Sequence, residues 1–269
     1  MDLTAIKDTQ KAMWAAGDFP DLAKYILPAS GETLGALDPQ SGDRLLDIAA
    51  GTGNLAIPAA QRGVEVVGLD ITPELLEVAR TRAADASVDI EFIEGDAEDL
   101  PFEDDAFKLV ASVFGIIFAP RHKVAADEMV RVCEPGGHFA MTAWTPEGMN
   151  GKLFQVMGAH MPPPPPGVEP PITWGSEDHI REMFDGSGAE LTFSRHTCDF
   201  TADSVEEWVS YNERALGPVL FAKEALEPQG KWDELRAGLV GHYNEFNIAD
   251  DGTFIGPGEY ILAVGSMPA

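Results

Sequence analysis

Basic residues are scarce in this 269-residue sequence: 18 lysines and arginines stand against 45 aspartates and glutamates, a formal net charge of −27. A field of that sign repels phosphate backbones, which excludes exposed DNA or RNA as a ready partner. The plain reading is a well-solvated surface. The sharper one is adaptation to high salt, where screening relieves the self-repulsion. Cysteine is almost missing. Cys133 and Cys198 stand far apart and form no CxxC pair, which rules out a disulfide framework and a cysteine-based metal motif; no metal site is expected, and a reducing compartment fits. No stretch reaches the ~18 apolar residues of a membrane span. The start, Met1-Asp2-Leu3-Thr4-Ala5, lacks the basic region leading into an apolar core that marks a targeting segment. The expectation is a cytoplasmic protein with no membrane span, without internal repeats or a dividing linker, and long enough for one α/β domain with a cap.

What the sequence does have is punctuation. Leu45, Leu46 and Ile48 form a short apolar run that passes through Asp47 into Ala49-Ala50-Gly51-Thr52-Gly53-Asn54, and a helical pattern follows at once. Pro58 is tolerated only if that helix begins near Asn54. Val64 to Leu69 predict a second strand ending in Asp70, with Thr72 as cap and Pro73 as first residue of the next helix. Val88 to Ile93 predict a third strand before Gly95-Asp96-Ala97-Glu98, and Phe107 to Phe114 a fourth. A helix from about Arg121 to Cys133 should stop at Glu134-Pro135-Gly136-Gly137, with a fifth strand over His138 to Trp144. Five strand and helix alternations predict a parallel sheet with helices on both faces and all strand C-termini on one edge. Further strands are expected over Ala189 to Phe200 and Tyr260 to Val264, and helices over Met149 to Met161, 176 to 185, Ser204 to Leu216 and Lys231 to Phe246; the five-proline run at 162–166 reads as a rigid connector. The expected fold is therefore α/β and Rossmann-like, a seven-stranded, mostly parallel sheet with a helical cap. Within the single domain 1–269, residues 1–42 supply N-terminal helices or a flap, 43–144 the ligand-binding core, and 145–269 the cap and last strands.

The glycines alone do not choose a ligand. Gly51-Thr52-Gly53 followed by Ala56 also satisfies the dinucleotide fingerprint, and an acid such as Asp70 after the second strand holds ribose hydroxyls in either case. Asp47 ahead of the glycines and the Asp96-Ala97-Glu98 turn separate the readings. A carboxylate there repels pyrophosphate and suits a cationic ligand with an amino acid tail.

Four stretches carry a resemblance: Asp47 to Asn54, Gly68 to Leu76, Gly95 to Phe102, and Arg131 to Gly137. In this order they resemble the motifs of class I S-adenosylmethionine-dependent methyltransferases, above all the branch with quinone-biosynthesis and natural-product enzymes. The likeness covers about residues 43 to 144. It implies S-adenosyl-L-methionine as cofactor, with Ala49, Gly51 and Gly53 bordering its methionine moiety and Asp47 near its ammonium group. Asp70 would accept both ribose hydroxyls, Ile71 would pack on the adenine, Asp96 and Ala97 would hold its exocyclic nitrogen, and Val113 and Phe114 would flank the sulfonium. Lys108 departs from the family, which commonly has an acid there.

Methyl transfer from a sulfonium needs a base only when the acceptor must lose a proton. His122, just after the fourth strand's loop, is the candidate base; its competing reading is a solvated residue in the first turn of the next helix. Phe118, Trp144, Phe154, Met157, Met161, Trp174, Trp208 and Tyr211 are candidates to line an apolar acceptor pocket, against the plainer reading that they are core. The function these imply is methyl transfer to a small, apolar or aromatic acceptor by a monomer or homodimer. The other class is a protein that binds S-adenosylmethionine without transferring methyl, as a structural element or to shape a cyclisation pocket. The loop after strand four, Phe114-Gly115-Ile116-Ile117-Phe118, lacks the Asn/Asp-Pro-Pro-aromatic motif of adenine methylation in DNA.

Overall fold

The computed structural model describes residues 3–269; Met1 and Asp2, where the N-terminal stretch read above begins, lie outside the described residues. Three helices come first, α1 (Leu3–Ala15), α2 (Phe19–Leu22) and α3 (Leu27–Leu37). The alternating section follows: β1 (Arg44–Ile48), α4 (Ala56–Gln61), β2 (Glu65–Asp70), α5 (Pro73–Asp85), β3 (Glu91–Glu94), β4 (Phe107–Val113), α6 (His122–Arg131) and β5 (Cys133–Trp144). The remainder comprises α7 (Met149–Gly158), α8 (Glu177–Met183), β6 (Glu190–Ala202), α9 (Val205–Ala215), α10 (Gly217–Leu226), α11 (Trp232–Phe246) and β7 (Phe254–Ser266).

Among the described residues, seven strands form one sheet in the order β3-β2-β1-β4-β5-β7-β6. β1 to β5 pair in parallel, and β7 runs antiparallel to both β5 and β6. Helices cover both faces, so the central strands read as unbroken apolar runs: Leu45, Leu46 and Ile48 are fully buried. Strand order reverses between β1 and β4, the switch point where open α/β sheets leave a crevice at their carboxyl edge. Asp47 stands one residue before the end of β1, Asp70 closes β2, Asp96 follows β3 and Phe114 follows β4, all on that edge.

Several boundaries differ from expectation. α4 begins at Ala56 rather than near Asn54, because residues 51–55 form turns; Pro58 still falls in the first turn, where no backbone N–H has an intrahelical partner. β5 starts at Cys133 rather than His138. Pro135-Gly136-Gly137 lies within it as an irregularity, and the register against β4 shifts between Phe107 and Leu109. β3 is only four residues long, and β6 and β7 are each 13. α10 was not expected, although Pro218 in its first turn is a start signal.

Candidate active site

The turn after β1 is built by a buried acid and by unusual backbone. Asp47 Oδ2 accepts from Ala56 N at 3.1 Å and so anchors the start of α4. Gly51 and Gly53 have φ of 53° and 80°, and Ala49, which has a Cβ, has φ 56°. Phe114 at the end of β4 is also left-handed, at 59°. Such conformations cost non-glycine residues about 1 kcal/mol or more each and persist only where the surroundings enforce them. Here the two turns press together: a Cβ on Gly115 would lie 2.3 Å from the Ala49 Cβ. Only glycine at 115 lets the ends of β1 and β4 meet.

Asp70 joins the two adjoining loops. Its Oδ2 accepts from Gly51 N at 2.8 Å and its Oδ1 from Thr72 N at 2.8 Å. Both carboxyls are buried, at 2% exposure for Asp47 and 5% for Asp70. Burial pushes the Asp47 carboxyl up to about 8, with the charge of Asp70 adding to the effect. Burial also raises Asp70, against the two backbone donors. Arg82 completes the loop from beneath: Nη1 donates to Thr52 O at 2.7 Å, Thr52 Oγ1 at 2.9 Å and Asn54 Oδ1 at 2.8 Å. Its place on α5, distant in sequence from the loop, gave no local signal.

A cavity of about 190 Å³ opens over these groups. Asp47, Ala49, Gly51, Asp70, Ile71, Val113 and Phe114 line it at the sheet edge. A smaller adjoining pocket shares Asp70 and Ile71 and adds Asp96 and Ala97. Gly53 lines neither; its N–H donates to Ala50 O at 2.9 Å, and it shapes the turn from within. The inner end of the cavity is aromatic. Phe114 stacks on Trp144 with centroids 3.8 Å apart and planes 7° apart, and Phe154, Met157, Phe200, Trp208 and Tyr243 continue the wall with Asn150 and Asn212 as polar insertions. The chemistry of this lining fits S-adenosylmethionine. Two buried carboxyls stand at the seat, and among the described residues that line the larger cavity there is no lysine, arginine or histidine to attract a phosphate, while Lys7 of the adjoining pocket is paired with Asp96 and Glu98.

α1 closes the outer side. Trp14 packs edge-on against Phe19 and Phe118 at 5.3 and 4.8 Å, Gln10 Nε2 donates to Phe118 O at 2.8 Å, and Lys7 Nζ bridges Asp96 and Glu98 at 2.5 Å each. The Glu98 side chain is fully buried and also accepts from Arg121 Nε and Nη2 at 3.0 and 2.9 Å. Lys7 thus holds α1 onto the acid expected to meet adenine. Lys7→Ala should leave the fold intact and raise the release rate of S-adenosylhomocysteine several-fold in stopped-flow; an unchanged rate would mean that α1 is not part of the closure.

The structure takes His122 away from the cavity. It lines neither pocket and is fully buried, with Nδ1 3.0 Å from His179 Nε2 and Trp174 against its ring at 5.1 Å. It is not solvated either. Burial and the neighbouring His179 push its pKa down to about 3, so the ring is neutral, and it borders neither pocket. A helical turn at residues 116–118 and the segment 119–121 separate the end of β4 from α6. Of the aromatic candidates, Phe118, Trp144, Phe154, Met157 and Trp208 line the cavity, while Met161, Trp174 and Tyr211 do not.

The family described as "Methyltransferase domain" matches residues 45–137. An uncharacterized protein of Mycobacterium tuberculosis is 38% identical over 222 residues, covering 81% of this chain and 80% of that protein. Demethylmenaquinone methyltransferase of Clavibacter sepedonicus is 40% identical over 109 residues, 40% of this chain and 44% of that enzyme. Among solved structures, the YcgJ protein of Bacillus subtilis aligns with a TM-score of 0.63 at 20% identity, covering 89% of this chain and 98% of its own. With the ordered motifs and the acid-lined seat at the switch point, these likenesses make the chain a member of the class I S-adenosylmethionine-dependent methyltransferases.

Proposed function

We propose that this enzyme methylates a small, largely apolar aromatic acceptor whose reacting atom faces the sulfonium past Phe114. The observation that carries the reading is the continuity of one cavity, from the carboxyls of Asp47 and Asp70 to the wall of Trp144, Phe154, Phe200 and Trp208. When bound, the cofactor supplies a methyl group already activated on a cationic sulfur. Asp47 and Asp70 hold its cationic and hydroxylated ends at the sheet edge, and Ala49, Gly51 and Ile71 shape the space beside them. Val113 and Phe114 sit where the sulfonium is expected. The aromatic wall excludes water and orients a flat acceptor by stacking, so alignment and desolvation supply much of the rate.

The lining contains no histidine or lysine, and Tyr243 is buried with its phenol pushed above its ordinary range. Such a site favours acceptors that are nucleophilic without a protein base: an activated ring carbon, an amine, or a phenol acidic enough to arrive ionised. The demethylmenaquinone methyltransferase likeness and the aromatic wall together favour the ring carbon of a hydroquinone-like acceptor. The reading extends to residues 1–269 as one methyltransferase domain, acting in the cytoplasm as a monomer or homodimer. The free, buried thiols of Cys133 and Cys198 suit that compartment.

Incubation with methyl-labelled donor and a panel of hydroquinones, phenols and amines tests the reading, with label expected in a hydroquinone or phenol product. Tight donor binding without transfer to any acceptor would favour the non-transferring alternative. Phe154→Ala should raise the acceptor KM about tenfold, in line with about 0.5–1.5 kcal/mol for losing an aromatic partner, and leave S-adenosylhomocysteine affinity unchanged. Equal effects on donor and acceptor would move Phe154 out of the acceptor wall.

A further inference from the structure

We propose that His122, Glu169 and His179 form a binding site for a zinc-class divalent metal ion, separate from the methyl-transfer cavity. The three residues come from α6, the segment after the polyproline run, and α8. Their ligand atoms all lie within 4.8 Å of one another. His122 Nδ1 is 3.0 Å from His179 Nε2 and 3.7 Å from Glu169 Oε2. A tetrahedral zinc ion bound at about 2.0–2.2 Å places its nitrogen and oxygen ligands roughly 3.3 Å apart, a value that the two observed separations bracket. Two imidazoles and one carboxylate, with a fourth position left open, match the donor preference of zinc rather than of magnesium or calcium.

Each ligand is already held in place. The Glu169 carboxylate is fixed by its other oxygen, Oε1, which accepts from His122 N at 3.0 Å, and its backbone N–H donates to Pro120 O at 3.0 Å. Oε2 is thereby left facing His122 Nδ1. Trp174 packs against both imidazoles, with centroids 5.1 and 5.8 Å away, and supplies an apolar wall. His122 is fully buried, whereas Glu169 and His179 are partly exposed and leave a path from solvent.

The lone pairs make the case chemically. One proton at most can lie between Nδ1 of His122 and Nε2 of His179. If His179 donates it, the accepting Nδ1 of His122 also faces the Glu169 oxygen at 3.7 Å, and the His122 Nε2–H is buried without an acceptor. If His122 donates it, His122 Nε2 is left as a bare acceptor, and that atom is buried without a hydrogen-bond partner. A cation in the middle turns three converging lone pairs into ligands. None of the three residues lines the cavity, so the ion would act as a clip. It would join the start of α6 to residues 169–179 and tether the segment that leaves the proline run.

The test uses the full chain without a histidine tag, stripped with chelator and then titrated with zinc by calorimetry and with cobalt by absorption. One equivalent should bind, cobalt should show the intense visible bands of a tetrahedral N/O site, and zinc should raise the Tm. His179→Ala and Glu169→Gln should each weaken zinc binding by more than about tenfold, at least the cost of losing an outer-shell partner, and remove the Tm rise. Both variants should keep native circular dichroism and S-adenosylhomocysteine affinity, which separates loss of the ion from loss of the fold. No binding at one equivalent, or equal binding by both variants, would overturn the site. Neither outcome bears on the methyltransferase reading.

Discussion

Replacing Asp70 with alanine is expected to weaken S-adenosylhomocysteine binding by two orders of magnitude or more. Hydrogen bonds to a charged group are worth about 1.5–3 kcal/mol each, and the resemblance assigns two ribose hydroxyls to this carboxylate. The pair amounts to about 3–6 kcal/mol, or roughly 10²–10⁴ in Kd. The same side chain also receives the N–H groups of Gly51 and Thr72, so alanine leaves two buried donors unpaired and loosens both loops. Asp70→Asn separates these contributions, because its amide oxygen can still accept from one loop while the charge is gone. Calorimetry should rank wild type, asparagine and alanine in that order of affinity. Equal affinity across the three would remove Asp70, and with it the assigned second motif, from the donor site.

Donor binding should also strengthen as pH rises, by up to about tenfold per unit, until the free site ionises. Asp47 stands at about 8 in the empty cleft because burial penalises its charge. A ligand ammonium beside it favours the carboxylate, so the bound form has the lower pKa and binding expels a proton. The sign for stability runs the other way. A carboxyl raised from 3.8 to about 8 on folding contributes stability that is present below the lower value and is lost as pH climbs through the upper one. Ligand relieves that loss, so the Tm gain from S-adenosylhomocysteine should be larger at about pH 6.5 than at about pH 5, both below the range where the ligand's own amino group titrates. Asp47→Asn keeps an acceptor for Ala56 N and should flatten both curves. A wild-type Kd that is the same at the two pH values would place the ammonium elsewhere.

The sheet-edge half of the candidate site was legible because its signals are local. A central strand buried on both faces leaves a continuous apolar run, as in Leu45-Leu46 and Val66-Val67, and the acids at the run ends need no tertiary information to be noticed. Lys7 on Asp96 and Arg82 under Thr52 were not visible, since each spans tens of residues in sequence and an isolated basic residue on a helix looks like a solvated one. His122 misled for a related reason. Its nearness to β4 in sequence suggested nearness to the sulfonium, but it lines neither pocket, and its partners at 169 and 179 follow no metal motif. The proposed acceptor wall is harder still: Asn150, Phe200, Asn212 and Tyr243 converge on the cavity from four elements, and each alone has the ordinary signature of a packed residue.

The pairing of β6 with β7 runs without a break from Glu190↔Ser266 to Ala202↔Phe254. Everything between Ala202 and Phe254, including the contributors Trp208, Asn212, Leu216, Pro218 and Tyr243, therefore leaves the sheet and returns to it at one rung of a ladder. Because its ends are joined at that rung, the excursion closes as one loop on the sheet, and its helices are held there by buried residues such as Val209, Leu235, Leu239 and Tyr243. Part of the proposed acceptor wall is in this sense carried by an insert between two paired strands, while Trp144, Phe154 and Phe200 stay with the rest of the chain; exchanging that insert for a relative's would show whether Trp208, Asn212 and Tyr243 set the choice of acceptor.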